Sequence, residues 1–321
     1  MEAIIDLKDR KILYELDINS RTPNSIIAKR TRLSKDVVNY RIKNLERKGI
    51  IKGYYTIVDF SRLGYFSIRV YIKLVDISTS EEKEIIDYLI LHKKVLFVAR
   101  TYGYSDITFG PLVKDIYEFE DFYMKFKERF KKYIGNETIA IYTKVYHFHR
   151  VYLLDKNDDT HPPEIFGDGP FVKYDKIDIS ILRLLANNAR IPLIEISKKL
   201  KIPTRTIAYR IKQLEKNKII QGYRFIFDFN QLGYKYYKVD FILKDISRIS
   251  NLRNYFRKYP NMIYTSSTIG GSDSEIFLEV KNKEHFLEII NDIRDKFPEI
   301  REWKYFEFEK YYKLLYFPRE L

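Results

Sequence analysis

One stretch of this 321-residue chain occurs twice. "SKDVVNYRIKNLERKGIIKGY" runs from Ser34 to Tyr54, and "PTRTIAYRIKQLEKNKIIQGY" runs from Pro203 to Tyr223, 169 positions later. The same offset lays Asp9 on Asp178, Leu13 on Leu182, Arg21 on Arg190 and Pro23 on Pro192, and "LGY" at 63–65 on "LGY" at 232–234. A repeat this long restricts the chain to two copies of one unit, each large enough for a domain or two small ones. Between them, "DKNDDTHPPEIFGDGPF" (155–171) is rich in Asp, Pro and Gly and lacks apolar periodicity, so it reads as a linker.

Within each copy the pattern changes period partway along. Leu7, Ile12, Leu13 and Leu16 share a helix face; Ile26, Ile27 and Ala28 begin a short second helix; Val38, Ile42 and Leu45 line one face of a third, with Ser34 as its N-cap and Gly49 at its end. Three short helices with a tight turn before the last form a helix-turn-helix. Beyond Gly49 the period falls to two, which predicts a short hairpin, or wing, near "IIKGYYTIVDF".

Then Phe66, Ile68, Val70, Ile72 and Leu74 alternate with Ser67, Arg69, Tyr71 and Lys73, the pattern of a half-buried strand. The order strand, helix, two strands, helix, strand follows, and copy two repeats it. The expected fold class is α+β, two winged helix-turn-helix domains alternating with two ferredoxin-like βαββαβ domains. The boundaries fall at 1–62, 63–154, a linker at 155–173, 174–231 and 232–321.

Function classes are bounded by what the chain contains. With no cysteine, thiolate chemistry, disulfides and cysteine-held metals are excluded. None of the common phosphate-loop, serine-hydrolase or zinc-protease motifs occurs, so neither catalytic residues nor a metal or cofactor is expected. No apolar run spans a membrane and no secretory leader is evident, which points to the cytoplasm. The net charge is +14. It is concentrated: residues 29–52 carry nine basic against two acidic side chains, and residues 198–218 carry eight against one. Each window is thus +7, and the rest of the chain is neutral.

Charge on the turn and third helix suits a reader of double-stranded DNA, with basic groups on phosphates and short polar groups near the helix start on base edges. The expected DNA-binding residues are Ser34, Lys35, Asp36, Asn39, Tyr40, Arg41 and Lys43, and Thr204, Arg205, Thr206, Tyr209, Arg210 and Lys212. Asn39 suits adenine and Arg205 guanine, whereas Ala208, the counterpart of Asn39, offers at most a methyl contact, so two unlike half-sites are expected. Arg41 and Arg210 also fit a second role as ion-pair residues that stabilise the helices.

On "DLKDRKILYELDINSR", "IAKRTRLSKDVVNYRIKNLERKGIIKGY" and the following "LGY", each half resembles the Lrp/AsnC family of transcription regulators. The resemblance implies recognition helices at 34–48 and 203–218 and a sheet module that dimerises, here as an intramolecular pseudo-dimer able to assemble further. It also implies a small effector such as an amino acid near a Gly-x-x-Asp turn, which would place Gly103, Tyr104 and Asp106, and Gly270, Gly271 and Asp273, at that site. Ordinary hairpin turns are the competing reading of those residues. Two departures stand out: Arg32 and Lys201 occupy the turn position where the family commonly has glycine, and the family normally has one unit per chain. The alternatives are an architectural DNA-binding protein and an enzyme like the siroheme decarboxylases, which share the two-module fold; for the latter, "YHFH" sets His147 and His149 on one strand face.

Overall fold

The computed structural model describes residues 5–154, 161–167 and 169–318. Part of the expected linker (155–160 and 168) and the last residues of the final domain lie outside them. Copy one runs α1 (Leu7–Ile18), α2 (Asn24–Thr31), α3 (Lys35–Arg47), β1 (Ile51–Val58), β2 (Phe66–Leu74), α4 (Thr79–Leu91), β3 (Val95–Gly103), β4 (Ile107–Val113), α5 (Ile116–Phe130) and β5 (Ile134–His147). A short strand, β6 (Glu164–Phe166), lies inside the expected linker. Copy two runs α6 (Lys176–Asn187), α7 (Leu193–Leu200), α8 (Thr204–Lys216), β7 (Ile220–Phe227), β8 (Lys235–Leu243), α9 (Ile249–Phe256), β9 (Met262–Ile269), β10 (Ser274–Val280), α10 (Lys283–Lys296) and β11 (Ile300–Leu314).

The helical heads form for local reasons. Asp6 and Asp9 make a capping box that starts α1, Asp175 and Asp178 make its counterpart at α6, and Ser34 accepts from the Val37 amide to start α3. Val38, Ile42 and Leu45, and in copy two Ile207, Ile211 and Leu214, are buried. Each such side chain contributes roughly 1.5–3 kcal/mol of transfer free energy. Arg32 and Lys201 both sit in the left-handed region, at φ 57° and 56°, so the turn keeps the geometry that glycine adopts without strain.

The expected wing hairpin is not formed. β1 pairs antiparallel with β7 of the other copy, Tyr55 opposite Arg224, in a separate two-stranded sheet. Period-two patterning identifies a strand but not its partner, and here the partner is the same strand in the other copy. The heads are laced further by reciprocal contacts: the Arg21 guanidinium lies over the Tyr223 ring and that of Arg190 over the Tyr54 ring.

Each sheet module is a four-stranded antiparallel sheet, β5-β2-β4-β3 and β11-β8-β10-β9. β3 pairs with β11 and β5 with β9, so the eight strands close into a ring, with β6 continuing an edge of β5. Closure leaves no free edge in the ring. The outer faces are covered by α4 and α5 over Ile68, Val70 and Phe109, and by α9 and α10 over Val239, Phe241 and Ile276. Ser67, Arg69 and Tyr71, and Tyr236, Lys238 and Asp240 in copy two, belong to the opposite face, which encloses the interior of the ring instead of meeting solvent.

Candidate nucleic-acid interface

The two basic helices present most of the expected residues outward. Lys35, Asp36, Tyr40 and Lys43 on α3 are exposed, as are Arg205, Thr206, Tyr209 and Lys212 on α8; Ser34 is exposed and Thr204 half-buried at the helix starts. Tyr40 and Tyr209 keep 68% and 62% of their surface accessible, far more than a structural tyrosine retains. Such flat, amphipathic side chains beside lysines suit a phosphate backbone.

Three of the expected residues are otherwise engaged. Arg41 Nη1 lies 2.9 Å from Asp6 and 2.8 Å from Asp9, and Arg210 Nη1 lies 2.8 Å from Asp175 and 2.9 Å from Asp178. The carboxylates that cap the first helix of each head thus also hold its third helix. The Asp9 and Asp175 contacts are the largest influences raising the two guanidinium pKa values above the usual arginine range. These arginines thus take part in ion pairs that join the third helix to the first. Asn39 is half-buried, and its Oδ1 accepts from Asn24 Nδ2, whose own Oδ1 accepts from Arg190 Nη2 at 2.6 Å. Its amide is therefore oriented by Asn24 of its own copy, which Arg190 of the other copy anchors. Sequence reasoning missed Asn24 and Arg190 because their roles depend on the exchange of contacts between copies.

The heads are positioned from behind. Tyr54 donates to Glu46 and Tyr223 to Glu215, each at 2.6 Å, which ties the end of each third helix to the following strand. Lys52 is paired with Asp228 at 2.5 Å, so one basic group of the first window is also spent across the copies.

The two Gly-x-x-Asp turns are closed from within. Asp106 accepts from the Leu74 amide and pairs with Lys73, both at 2.8 Å; Asp273 accepts from the Leu243 amide at 2.8 Å. A Cβ on Gly103 would stand 2.3 Å from the Tyr305 carbonyl and one on Gly270 2.6 Å from that of Ile139, so each turn abuts the last strand of the other module. Both also reach one buried cluster: Lys238 Nζ lies 2.5 Å from Asp240 and 3.0 Å from Glu275, Tyr104 accepts from Lys238 at 3.1 Å, and Ser272 donates to Asp240 at 2.9 Å. Burial raises the Glu275 carboxyl above its usual range. Asp240 ends below its usual range because Lys238 outweighs the effect of burial. The hairpin reading fits these aspartates, and the polar groups nearest an effector are satisfied by the protein itself.

His147 and His149 are both buried at the end of β5. His147 stacks on Tyr264 with ring centroids 4.2 Å apart, and His149 Nε2 lies 3.6 Å from Glu164. Among the described residues no cluster of histidine and carboxylate side chains could hold a metal ion, and no helix is long and apolar enough to cross a membrane.

Comparison with known proteins gives a consistent result. A model described as winged helix-turn-helix DNA-binding matches residues 5–52 and 174–221, the two heads. The transcriptional regulator FL11 of Pyrococcus horikoshii is 30% identical over 125 residues, 38% of this chain and 83% of the relative. The regulator LrpA of the same organism is 44% identical over 62 residues, 19% of this chain and 44% of that protein. Among solved structures, the siroheme decarboxylase NirDL superposes with a TM-score of 0.67 at 13% identity, covering 98% of this chain and 94% of that one. This last likeness extends to the fold alone.

Proposed function

We propose, for a chain that belongs to the Lrp/AsnC family of DNA-binding transcription regulators, that its two heads read unlike half-sites on one duplex as an intramolecular pseudo-dimer. The observation that carries this reading is the pairing of matched geometry with unmatched outward residues. Both third helices are tied and oriented by the same ion pairs and tyrosine–glutamate bonds, yet Asn39 in one stands where Ala208 stands in the other, and Asp36 where Arg205 does. Lys35, Lys43 and Lys212 supply phosphate contacts without base preference, and Arg205 supplies a bidentate pair for guanine. The strands that follow the heads are hydrogen-bonded to each other, so the heads dock as one body. Joining both in one chain makes the second contact intramolecular and raises its effective concentration.

The decisive experiment is selection of bound DNA from a random pool, followed by affinity measurement across a salt series. An enriched, asymmetric site with preference kept at physiological salt is expected. A palindromic site would sink the unequal-head reading, and steep salt dependence without any enriched site would identify an architectural protein. A small effector at the Gly-x-x-Asp turns would have to displace Tyr104 and Ser272 from the Lys238–Asp240 pair, which argues against that location. An enzymatic role like that of the siroheme decarboxylases draws support from the shared fold, whereas the two exposed basic helices support DNA binding.

A further inference from the structure

Beneath the β1–β7 ladder, the ring and the strands above it line a partly open cavity of about 1340 Å³ that the DNA-reading role does not use. Pockets that hold drug-sized ligands measure roughly 300–1,000 Å³, so this one takes something larger. Its lining is rich in aromatic rings, several of them in near-parallel pairs: Tyr55 stacks on Tyr316 at 3.9 Å between centroids, Tyr236 on Phe308 at 4.8 Å, and His147 on Tyr264 at 4.2 Å. Broad, parallel ring faces favour a flat partner that can stack against them.

The cavity is lopsided, and the repeat explains why. Strand register makes Ser67 the counterpart of Tyr236, and Gly110 the counterpart of Phe277. Copy one thus has small residues where copy two places rings, which hollows one wall and fills the other. Arg69 lies on the hollow wall. Its Nη1 donates to Ser67 Oγ at 2.8 Å and to the Ile68 carbonyl at 3.0 Å, and its guanidinium stacks over Phe97 and Tyr142 at 4.6 and 4.9 Å. A Cβ on Gly110 would fall 2.7 Å from that same Nη1, so glycine is what admits the arginine.

Among the described residues no carboxylate pairs with Arg69. Its counterpart Lys238 is neutralised by Asp240 and Glu275, and Arg150, also on the lining, is paired with Asp17 and Glu279. His147 is 1% exposed, and its Nε2 has no hydrogen-bond partner. Burial, aided by Arg224 and Arg150, holds its pKa well below the usual histidine range, so the ring is neutral at pH 7.

We infer that this cavity binds one large, flat, conjugated carboxylate per chain, its ring system between the stacked aromatics and its carboxylate on Arg69. A guanidinium recognises a carboxylate through paired, charge-assisted hydrogen bonds, and stacking on two rings holds its plane ready for them. The unpartnered His147 nitrogen offers a second polar contact. The asymmetric walls fix a single orientation, so one molecule binds rather than two related by the internal symmetry.

The test uses the full chain without DNA, so its outcome is separate from that of the DNA-reading proposal. Protoporphyrin IX serves as a planar dicarboxylate probe, titrated by absorbance and fluorescence, with oleate as a flexible carboxylate for comparison. Saturable binding at one molecule per chain is expected, at least tenfold tighter than for oleate. Arg69→Gln should weaken it at least tenfold. Ser67→Tyr, which gives copy one the residue of copy two, should weaken it at least as much while circular dichroism remains that of the wild type. Should Ser67→Tyr fail to fold, Arg69→Gln alone decides. Absence of saturable binding, oleate binding as tightly as the porphyrin, or affinity unchanged in Arg69→Gln would each overturn the inference.

Discussion

Copy one carries Asp17 on α1 where copy two carries Ala186 on α6, and copy two carries Arg224 on β7 where copy one carries Tyr55 on β1. On the Asp17 side a buried ion network forms: Arg224 at 2.8 Å, Arg150 at 2.8 Å, then Glu279 bound to Arg150 at 2.9 Å, with Glu164 also held by Arg224. It joins a helix of head one, a strand of head two, the end of module one, β6 and a strand of module two. The corresponding region of the other side has Ala186, Leu112 and the Tyr55–Tyr316 stack. The contacts that hold each head together agree between the copies. The triplets Val38, Ile42, Leu45 and Ile207, Ile211, Leu214, the capping boxes, and the Arg41 and Arg210 pairs match residue for residue. In a symmetric dimer of identical chains each substitution appears at two related positions, whereas in a fused pair it appears once. The copies accordingly diverge where they face each other, on the inner walls of the ring and on the outward faces of the third helices, and match where each only has to fold.

The largest test of this contrast is Asp17→Ala, which installs the residue of copy two and leaves Arg224 and Arg150 buried with one fewer anion. A loss of about 3–5 kcal/mol in denaturant unfolding is expected; a loss under about 1 kcal/mol would mean that the network does not hold the copies together. Burial raises the Asp17 carboxyl, but Arg224 and Arg150 outweigh it and hold the pKa at about 2. Because that lies below the unfolded value of about 3.9, its stabilisation is present above pH 4 and disappears as pH falls toward 2. The Asp17→Ala variant should lose this component of its acid-unfolding curve.

Arg205→Ala and Asn39→Ala compare the outward residues. Each should cost roughly 1–3 kcal/mol in DNA affinity and relax preference at one half-site only. Equal loss across both half-sites, read from competition against single-position operator variants, would show that the heads are equivalent readers. A smaller and symmetric effect is expected of Arg41→Ala and Arg210→Ala. Each should lower stability by about 1 kcal/mol, measured by thermal unfolding, with any fall in DNA binding following from a loosened head. Smallest, and opposite in sign, Arg32→Gly and Lys201→Gly should each raise stability by about 0.5–1 kcal/mol by relieving a left-handed backbone, equally in the two copies.

Much of this was legible in the residues because helix periodicity, capping signals and charge position are local. Ser34, the Val38–Ile42–Leu45 stripe and the strand and helix order of both modules needed no partner to be recognised. What escaped were features created by two distant segments meeting. The wing strands alternate correctly but pair across 169 positions, and nothing in "IIKGYYTIVDF" names its partner. Arg69 and Lys238 alternate with apolar neighbours as surface residues do, and ring closure is what encloses them. β6 lies within a segment whose composition signals only a linker; Glu164 becomes meaningful beside Arg224.

The exchanged ladder between β1 and β7 bears on how this protein can be dissected. A gene fragment encoding a single copy would leave that strand with an unsatisfied hydrogen-bonding rim, together with the module edges at β3 and β5. Such a half would pair with a second copy through these edges or precipitate, and would not behave as an independent miniature of the whole.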